Sequence, residues 1–266
     1  MDTLTHALSG ALMAHAMGHH HHQSKALTGG RAALVGFAAA AFPDVDFVLK
    51  FVDPLLYLNA HRGVTHSIIM LPLWALLLAW LFAKIYRSQA GGWRAFVGIC
   101  AAAIGIHIAG DTITSYGTQL FAPFSNWKAA INTTFIIDLW FTGIILLSLV
   151  IALWRKAPLI SRAGLACLAA YVGFQGIQEW RALDIAEDYR TAQGLEGYEV
   201  EALPQPASPF RWKLMVSDGE RHHYAYLDLR KTQPPPTGDG YFDRLSRSYD
   251  TPTSLTWGLQ TLSAPT

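Results

Sequence analysis

Charge is what this sequence has least of. Asp, Glu, Lys and Arg make up 15% of its 266 residues and hydrophobic residues 52%, whereas a soluble domain carries roughly 25% charged residues. That deficit argues for a membrane protein. The net charge is only +1, so the chain lacks the broad basic field that nucleic acid selects, and no nucleic-acid partner is expected. Cysteine is nearly absent: Cys100 and Cys167 sit within apolar runs, where a thiol acts as a small hydrophobe rather than a disulfide half or a metal ligand. No glycine loop is built to cradle a phosphate and no nucleophile elbow is present, which excludes P-loop and serine-hydrolase chemistry. There is no internal repeat. A cleaved leader is not expected either, because MDTLTHALSGALMAHAM opens on an acid and carries an early histidine in place of a basic region.

What the chain does have is long apolar runs. Segments 67–86, 96–115, 135–154 and 163–177 reach or approach the roughly 20 helical residues that cross a bilayer core. Two earlier runs, Leu4 to Met17 and Ala32 to Phe42, are too short to span at about 1.5 Å per residue and suit a re-entrant or tilted pair. Beyond Gln178 the chain turns polar. EWRALDIAEDYR reads as a short amphipathic helix, RWKLMVSDGERHHYAYLDLR as a hairpin around Asp218-Gly219, and QPPPTGDG as loop. The expected fold is mainly α: a polytopic membrane helical bundle of four spanning helices plus two short N-terminal helices over residues 1–178, and a small C-terminal α+β extramembrane domain over 179–266. The sequence is silent on oligomeric state.

Basic residues mark the sides. Connections holding Lys25 with Arg31, Lys84 with Arg87 and Arg94, and Arg155 with Lys156 and Arg162 alternate with connections holding Lys50, Arg62 and Lys128. The positive-inside rule puts the first group in the cytoplasm. PDVDF, HRGVTH, SYGTQLFAPFSNW and the C-terminal domain are then expected on the outer face. Trp74, Trp80, Trp93, Trp127, Trp140 and Trp154 lie mostly near segment ends, as an interfacial belt requires.

The residues that carry chemistry gather at the segment mouths. In HIAGD, His107 and Asp111 are four apart on an expected helix and share a face. An imidazole beside a carboxylate suits a divalent ion such as zinc, although the same pair also serves as a packing hydrogen bond. MDTLTH repeats that spacing in reverse with Asp2 and His6. In FPDVDF, Pro43 stops the preceding helix, and Asp44 and Asp46 converge only if the chain turns there; the plain alternative is a solvated cap. In AHRGVTHS, Gly63 permits a tight turn that would bring His61 and His66 to one centre, and Arg62 offers a fork for phosphate or carboxylate. The plain alternative is an interfacial helix cap. Asp138 in FIIDLWF is a buried acid fit for a ligand, a histidine's partner or a base. Five separated segments bringing His or Asp to one face would burden a purely structural bundle, so a divalent-metal site is expected. The run His19 to His22 lies between two apolar segments and reads as a solvated, weakly metal-binding loop, and His222 and His223 as surface residues of the hairpin.

The ordered set MDTLTHALSGA, PDVDF, HRGVTHS, HIAGDTITSYGTQLFAPFS and INTTFIIDLW resembles the membrane-bound, metal-dependent hydrolases, also described as LexA-binding, inner-membrane-associated hydrolases. The resemblance covers about the first 155 residues. It implies a multi-pass protein of the bacterial inner membrane, loosely related to the zinc phospholipase C group. It also implies His6, Asp44, Asp46, His61, His66, His107 and Asp111 as metal ligands, with Asp138 a further candidate. Leu139 follows the IID acid where the family pattern has proline, which leaves that local turn open.

So many nitrogen and oxygen donors suit two or more divalent ions, zinc or else manganese, polarising a phosphoryl or ester oxygen. Asp46 or Asp138 would take the proton while Arg62 steadies the anion. A site opening at the lipid bilayer suits an amphiphilic or lipid substrate. Two other classes fit less well: a zinc transporter, whose ligands should lie midway through helices, and a regulatory protein whose metal is only structural.

Overall fold

A computed structural model describes residues 1–17, 29–87, 92–233 and 247–261. The His19 to His22 run and most of QPPPTGDG lie outside the described residues. The chain divides into two compact units, one of Met1–Ile131 with Leu139–Tyr171, the other of Asn132–Asp138 with Val172–Thr266.

The first unit is helical. Helix α1 (Thr3–Met17) begins after Asp2, whose carboxylate accepts from the Thr5 backbone N–H at 3.0 Å and from the Thr5 hydroxyl at 2.6 Å, a side-chain cap on the first turn. Helix α2 (Gly29–Ala41) is built from Ala, Gly, Leu, Val and Phe after Arg31. Small residues let α1 and α2 approach backbone to backbone at Gly10 and Gly36, the packing that lipid-embedded helices favour. Pro43 then ends α2, as expected, and the chain continues as a 3-10 helix, Pro43–Phe51, bent by 43° from it. After α3 (Pro54–Ala60) and a 3-10 turn at Val64–His66 come α4 (Leu71–Ile85), α5 (Trp93–Thr112) and α6 (Leu139–Arg155). The core joins Ala32, Val35 and Ala39 of α2 to Ala75 and Leu78 of α4 and to Phe96, Ile99, Cys100, Ala103 and Ile104 of α5.

Helix α7 (Pro158–Ala192) runs for 35 residues, so the expected last span and the expected amphipathic helix are one continuous element. Its last turns carry Ala182 and Ala186 onto Trp212, Leu214, Val216 and Leu227 in the second unit's core. There β1 (Glu199–Pro204), β2 (Arg211–Ser217), β3 (Arg221–Asp228) and β4 (Gly258–Thr261) form an antiparallel sheet in chain order. Buried Trp212, Leu214 and Val216 alternate with half-buried neighbours along β2, the period-two signature of one covered face. The hairpin expected around Asp218-Gly219 is present, with Gly219 at φ +92°.

The expected four spans are not clearly present among the described residues. Among the described residues, α5 and α7 are long and apolar enough to cross a bilayer, and α2 with the Pro43–Phe51 helix adds a third if the bent pair is one span. Segments 67–86 and 135–154 yield only the 15 residues of α4 and the 17 of α6. In the first, Ser67 leaves the helix to donate its hydroxyl to the Ala122 carbonyl at 2.6 Å. In the second, residues up to Asp138 precede the helix and fold with the second unit.

Candidate metal centre

Four side chains converge inside the first unit. Asp44 comes from the first turn of the Pro43–Phe51 helix, His66 from the Val64–His66 turn, and His107 and Asp111 from the last turns of α5; their ligand atoms all lie within 4.8 Å of one another. His66 Nε2 is 3.2 Å from Asp111 Oδ2 and 3.5 Å from Asp44 Oδ1, and His107 Nε2 is 3.4 and 3.7 Å from the same two oxygens. Ligands held about 2.0–2.1 Å from a tetrahedral zinc stand about 3.3 Å apart. These four separations lie near that edge, and three of them exceed good hydrogen bonds.

The tautomers point the same way. His107 donates Nδ1–H to the Ala40 carbonyl at 2.6 Å, which leaves the Nε2 lone pair facing the centre. His66 Nδ1 meets the Thr65 hydroxyl at 2.9 Å, and that hydroxyl donates to Asp46 Oδ2 at 3.4 Å, so His66 Nε2 is likewise turned inward. His66 Nε2, His107 Nε2 and Asp111 Oδ2 are buried without a hydrogen-bond partner. Orphaned polar atoms cost stability in a protein interior, and three aimed at one point suit a cation.

Asp111 divides its two oxygens. Oδ1 takes the Met1 ammonium at 2.5 Å, the Arg62 Nη2 at 2.8 Å and the His6 Nε2 at 3.0 Å, while Oδ2 faces His66 and His107. His6, expected as a ligand, instead stacks on the His107 ring at 3.7 Å and presses against Gly110, where a Cβ would meet its ring at 3.2 Å. Gly110 had given no signal in the sequence.

Asp46 and His61 form a separate pair. His61 Nδ1 lies 3.1 Å from both Asp46 oxygens, and Oδ2 also accepts the Arg62 backbone N–H at 3.3 Å. The converging turn expected at PDVDF exists, but it sends the two carboxylates to different partners. The turn at HRGVTH is made differently from expectation as well. Arg62 itself takes the left-handed conformation, φ +58°, and Gly63 is required because a Cβ there would lie 2.7 Å from the Ala60 carbonyl oxygen. The Arg62 guanidinium is buried, bound to Asp111, to the Thr114 hydroxyl at 2.8 Å, and over the Tyr116 ring at 4.9 Å. Its two Nη groups hold Asp111 and Thr114, while its Nε is buried without a hydrogen-bond partner. Asp138 belongs to the second unit, where its Oδ2 accepts from Gln175 at 2.8 Å. His222 and His223 are half-buried, bonded to Ser217 at 2.7 Å and Tyr189 at 2.9 Å.

Beside the cluster opens a pocket of about 430 Å³, lined by polar Asp2, Thr3, Asp44, Tyr57 and His61 and by apolar Ala41, Val45 and Phe47. That volume lies within the usual range for a small-molecule site.

The chain belongs to the YdjM inner membrane protein family, which it matches over residues 1–182. It is also similar to a protein of Bacillus subtilis (strain 168) described as uncharacterized protein YfhP, with 27% identity over 217 residues covering 76% of this chain. The matched region spans 63% of that relative's length. No solved structure matches. Membership in an inner-membrane family agrees with the apolar helices.

Proposed function

We propose that this chain is an integral inner-membrane, metal-dependent hydrolase that cleaves a phosphoester or ester of a lipid-like substrate. The observation that carries the reading is the set of three orphaned buried atoms, His66 Nε2, His107 Nε2 and Asp111 Oδ2, gathered beside an open pocket. Two imidazoles and two carboxylates suit zinc, with manganese the next candidate. A divalent ion held by Asp44, His66, His107 and Asp111 supplies Lewis acidity toward a phosphoryl or carbonyl oxygen and acidifies water. We assign one ion to this group. A second, beside Asp46 and His61, would have to open the hydrogen bonds between them.

The protein's own groups divide the remaining work. Arg62 and the Met1 ammonium fix Asp111, and Ala40 and Thr65 fix the two imidazoles. Asp46 is occupied by three donors, so it orients a proton acceptor rather than serving as one. His61 is the acceptor: it lines the pocket, and Asp46 sets its tautomer. By the distribution of Lys and Arg, the pocket faces the outer side of the membrane.

The near-complete burial of His66, His107 and Asp111 favours a second reading, a closed structural site. One experiment separates the two. Purified protein is stripped with chelator, reloaded with zinc or manganese, and tested against phospholipids and generic phosphoesters, alongside metal flux in liposomes. Turnover that returns with metal supports the hydrolase. Metal-loaded protein with neither turnover nor flux leaves the structural reading, and flux without turnover makes the chain a carrier.

A further inference from the structure

The Pro43–Phe51 helix presents two unlike faces. Asp44 and Asp46 are buried toward the metal centre, whereas Val45, Val48 and Phe51 are 50, 50 and 80% exposed. Those three recur every third residue, and a 3-10 helix has three residues per turn, so they form one straight apolar stripe about 12 Å long. Phe47, 50% exposed, leans edge-on against Phe51 at 6.0 Å and widens the stripe. Its inner end reaches the pocket, because Val45 and Phe47 line it together with Asp44, Tyr57 and His61. The pocket therefore joins ionisable side chains to the inner residues of the apolar stripe.

We infer that this helix is an acyl-chain platform, with Val45 and Phe47 holding the first carbons of a membrane amphiphile's tail while its polar head group reaches Asp44 and His61. The reading of the cluster as the reacting centre sets which end of the amphiphile points inward, and the platform deepens that reading by naming a single molecule with both a head and a hydrocarbon tail. The shape excludes a wholly polar substrate as the preferred one: about half of each of two large apolar side chains would stay in water beside it. Bulk lipid lying against any apolar helix is the competing occupant. It differs in one respect, since bulk lipid would cover α6 at least as well, where Leu147 is 64% and Val150 56% exposed.

The test uses the full chain in lipid nanodiscs containing phosphatidylcholine with a photoactivatable diazirine on one acyl tail, with adducts located by mass spectrometry. Adducts should concentrate on Val45 to Phe51 well beyond those on Leu147 and Val150. Phe47→Ser should cut the adducts on the helix about tenfold, the size expected for one lost aromatic contact, while leaving those on α6 unchanged, which also shows that the variant is folded. Phe47→Leu should restore most of the yield. Adducts spread over both helices in proportion to exposure, and indifferent to Phe47→Ser, would overturn the assignment. Adducts on the helix without turnover of any substrate would uphold the platform and sink the hydrolase reading.

Discussion

Replacing Gly10 with alanine should push α1 away from α2 and loosen the metal centre in one step. A Cβ at Gly10 would lie 2.3 Å from the Ala40 Cβ and 2.4 Å from the Gly36 carbonyl oxygen, where ordinary contact begins at 3.4 Å. The α1–α2 crossing must therefore open by about 1 Å, and a backbone carbonyl in a helix cannot swing aside as a side chain would. Overpacking of this kind costs about 1–3 kcal/mol, and the better helix propensity of alanine returns up to about 1 kcal/mol. For a unit of this size each kcal/mol moves the melting temperature by about 2–4 °C. The balance is centred near a loss of about 1.5 kcal/mol, a drop of roughly 3–6 °C. The second effect falls on the site. Ala40 also carries the carbonyl that receives His107 Nδ1–H at 2.6 Å, and disturbing such a partner weakens metal affinity about 10- to 100-fold. Gly143→Ala in α6 is the control, because nothing lies within 4 Å of the added Cβ. Melting followed by circular dichroism and metal content measured by mass spectrometry decide the matter. A Gly10→Ala protein that melts with wild type and holds as much metal would refute the close crossing.

Four further outcomes are expected. The double variant His107→Ala, Asp111→Ala should purify with metal at background, and equal metal in wild type and variant would remove both residues from the centre. Asp46→Asn should lower turnover about 10²- to 10⁴-fold while metal content holds, so a variant that loses its metal instead would make Asp46 a ligand. Metal should be released in acid, since His66 and His107 bind it only through an unprotonated nitrogen; metal content that is the same in neutral and strongly acidic buffer would argue against histidine ligation. Cysteine accessibility at Asn126→Cys, in a protein with Cys167 replaced by serine and probed in intact cells with a membrane-impermeant reagent, should report the outer face, and labelling only after lysis would reverse the orientation.

The sequence exposes the donors of the centre but not their allegiances. His107 and Asp111 could be paired from arithmetic alone, because four residues on a helix fix a shared face whatever surrounds it. Asp44 and His66 were visible as ionisable residues at apolar boundaries. What a side chain then binds depends on partners brought from far along the chain. Arg62 finds Asp111 and Thr114, Asp46 is taken by His61 and Thr65, and the group orienting His107 is the backbone of Ala40, which carries no side-chain signal at all. The span count was less legible for a related reason. Hydropathy registers carbon, not the point at which a helix starts, and Ser67 and Asp138 sit in apolar context yet precede their helices. The change to polar residues at Gln178 looked like an element boundary, but no proline follows until well past Ala192 and nothing in the backbone stops α7 there.

Charge balance explains why the centre needs an occupant. Asp44, Asp46 and Asp111 are buried together with one guanidinium, that of Arg62, and the Met1 ammonium. With every imidazole neutral, one negative charge is left over, and an uncompensated buried charge costs several kcal/mol in an interior of low polarity. A protonated His66 is one remedy: burial opposes its charge, but the neighbouring carboxylates of Asp111 and Asp44 raise its pKa above the ordinary imidazole value. A divalent cation is the other remedy, and it uses the Nε2 lone pair that the proton would occupy. Proton and ion thus compete for one electrostatic deficit at one atom, so each ion bound in mildly acidic solution must expel a proton. The pair His61 and Asp46 lies beside that competition: Asp46 accepts from His61, the Arg62 backbone and Thr65, and it can hold the His61 imidazole in register in the pocket whichever occupant fills the centre.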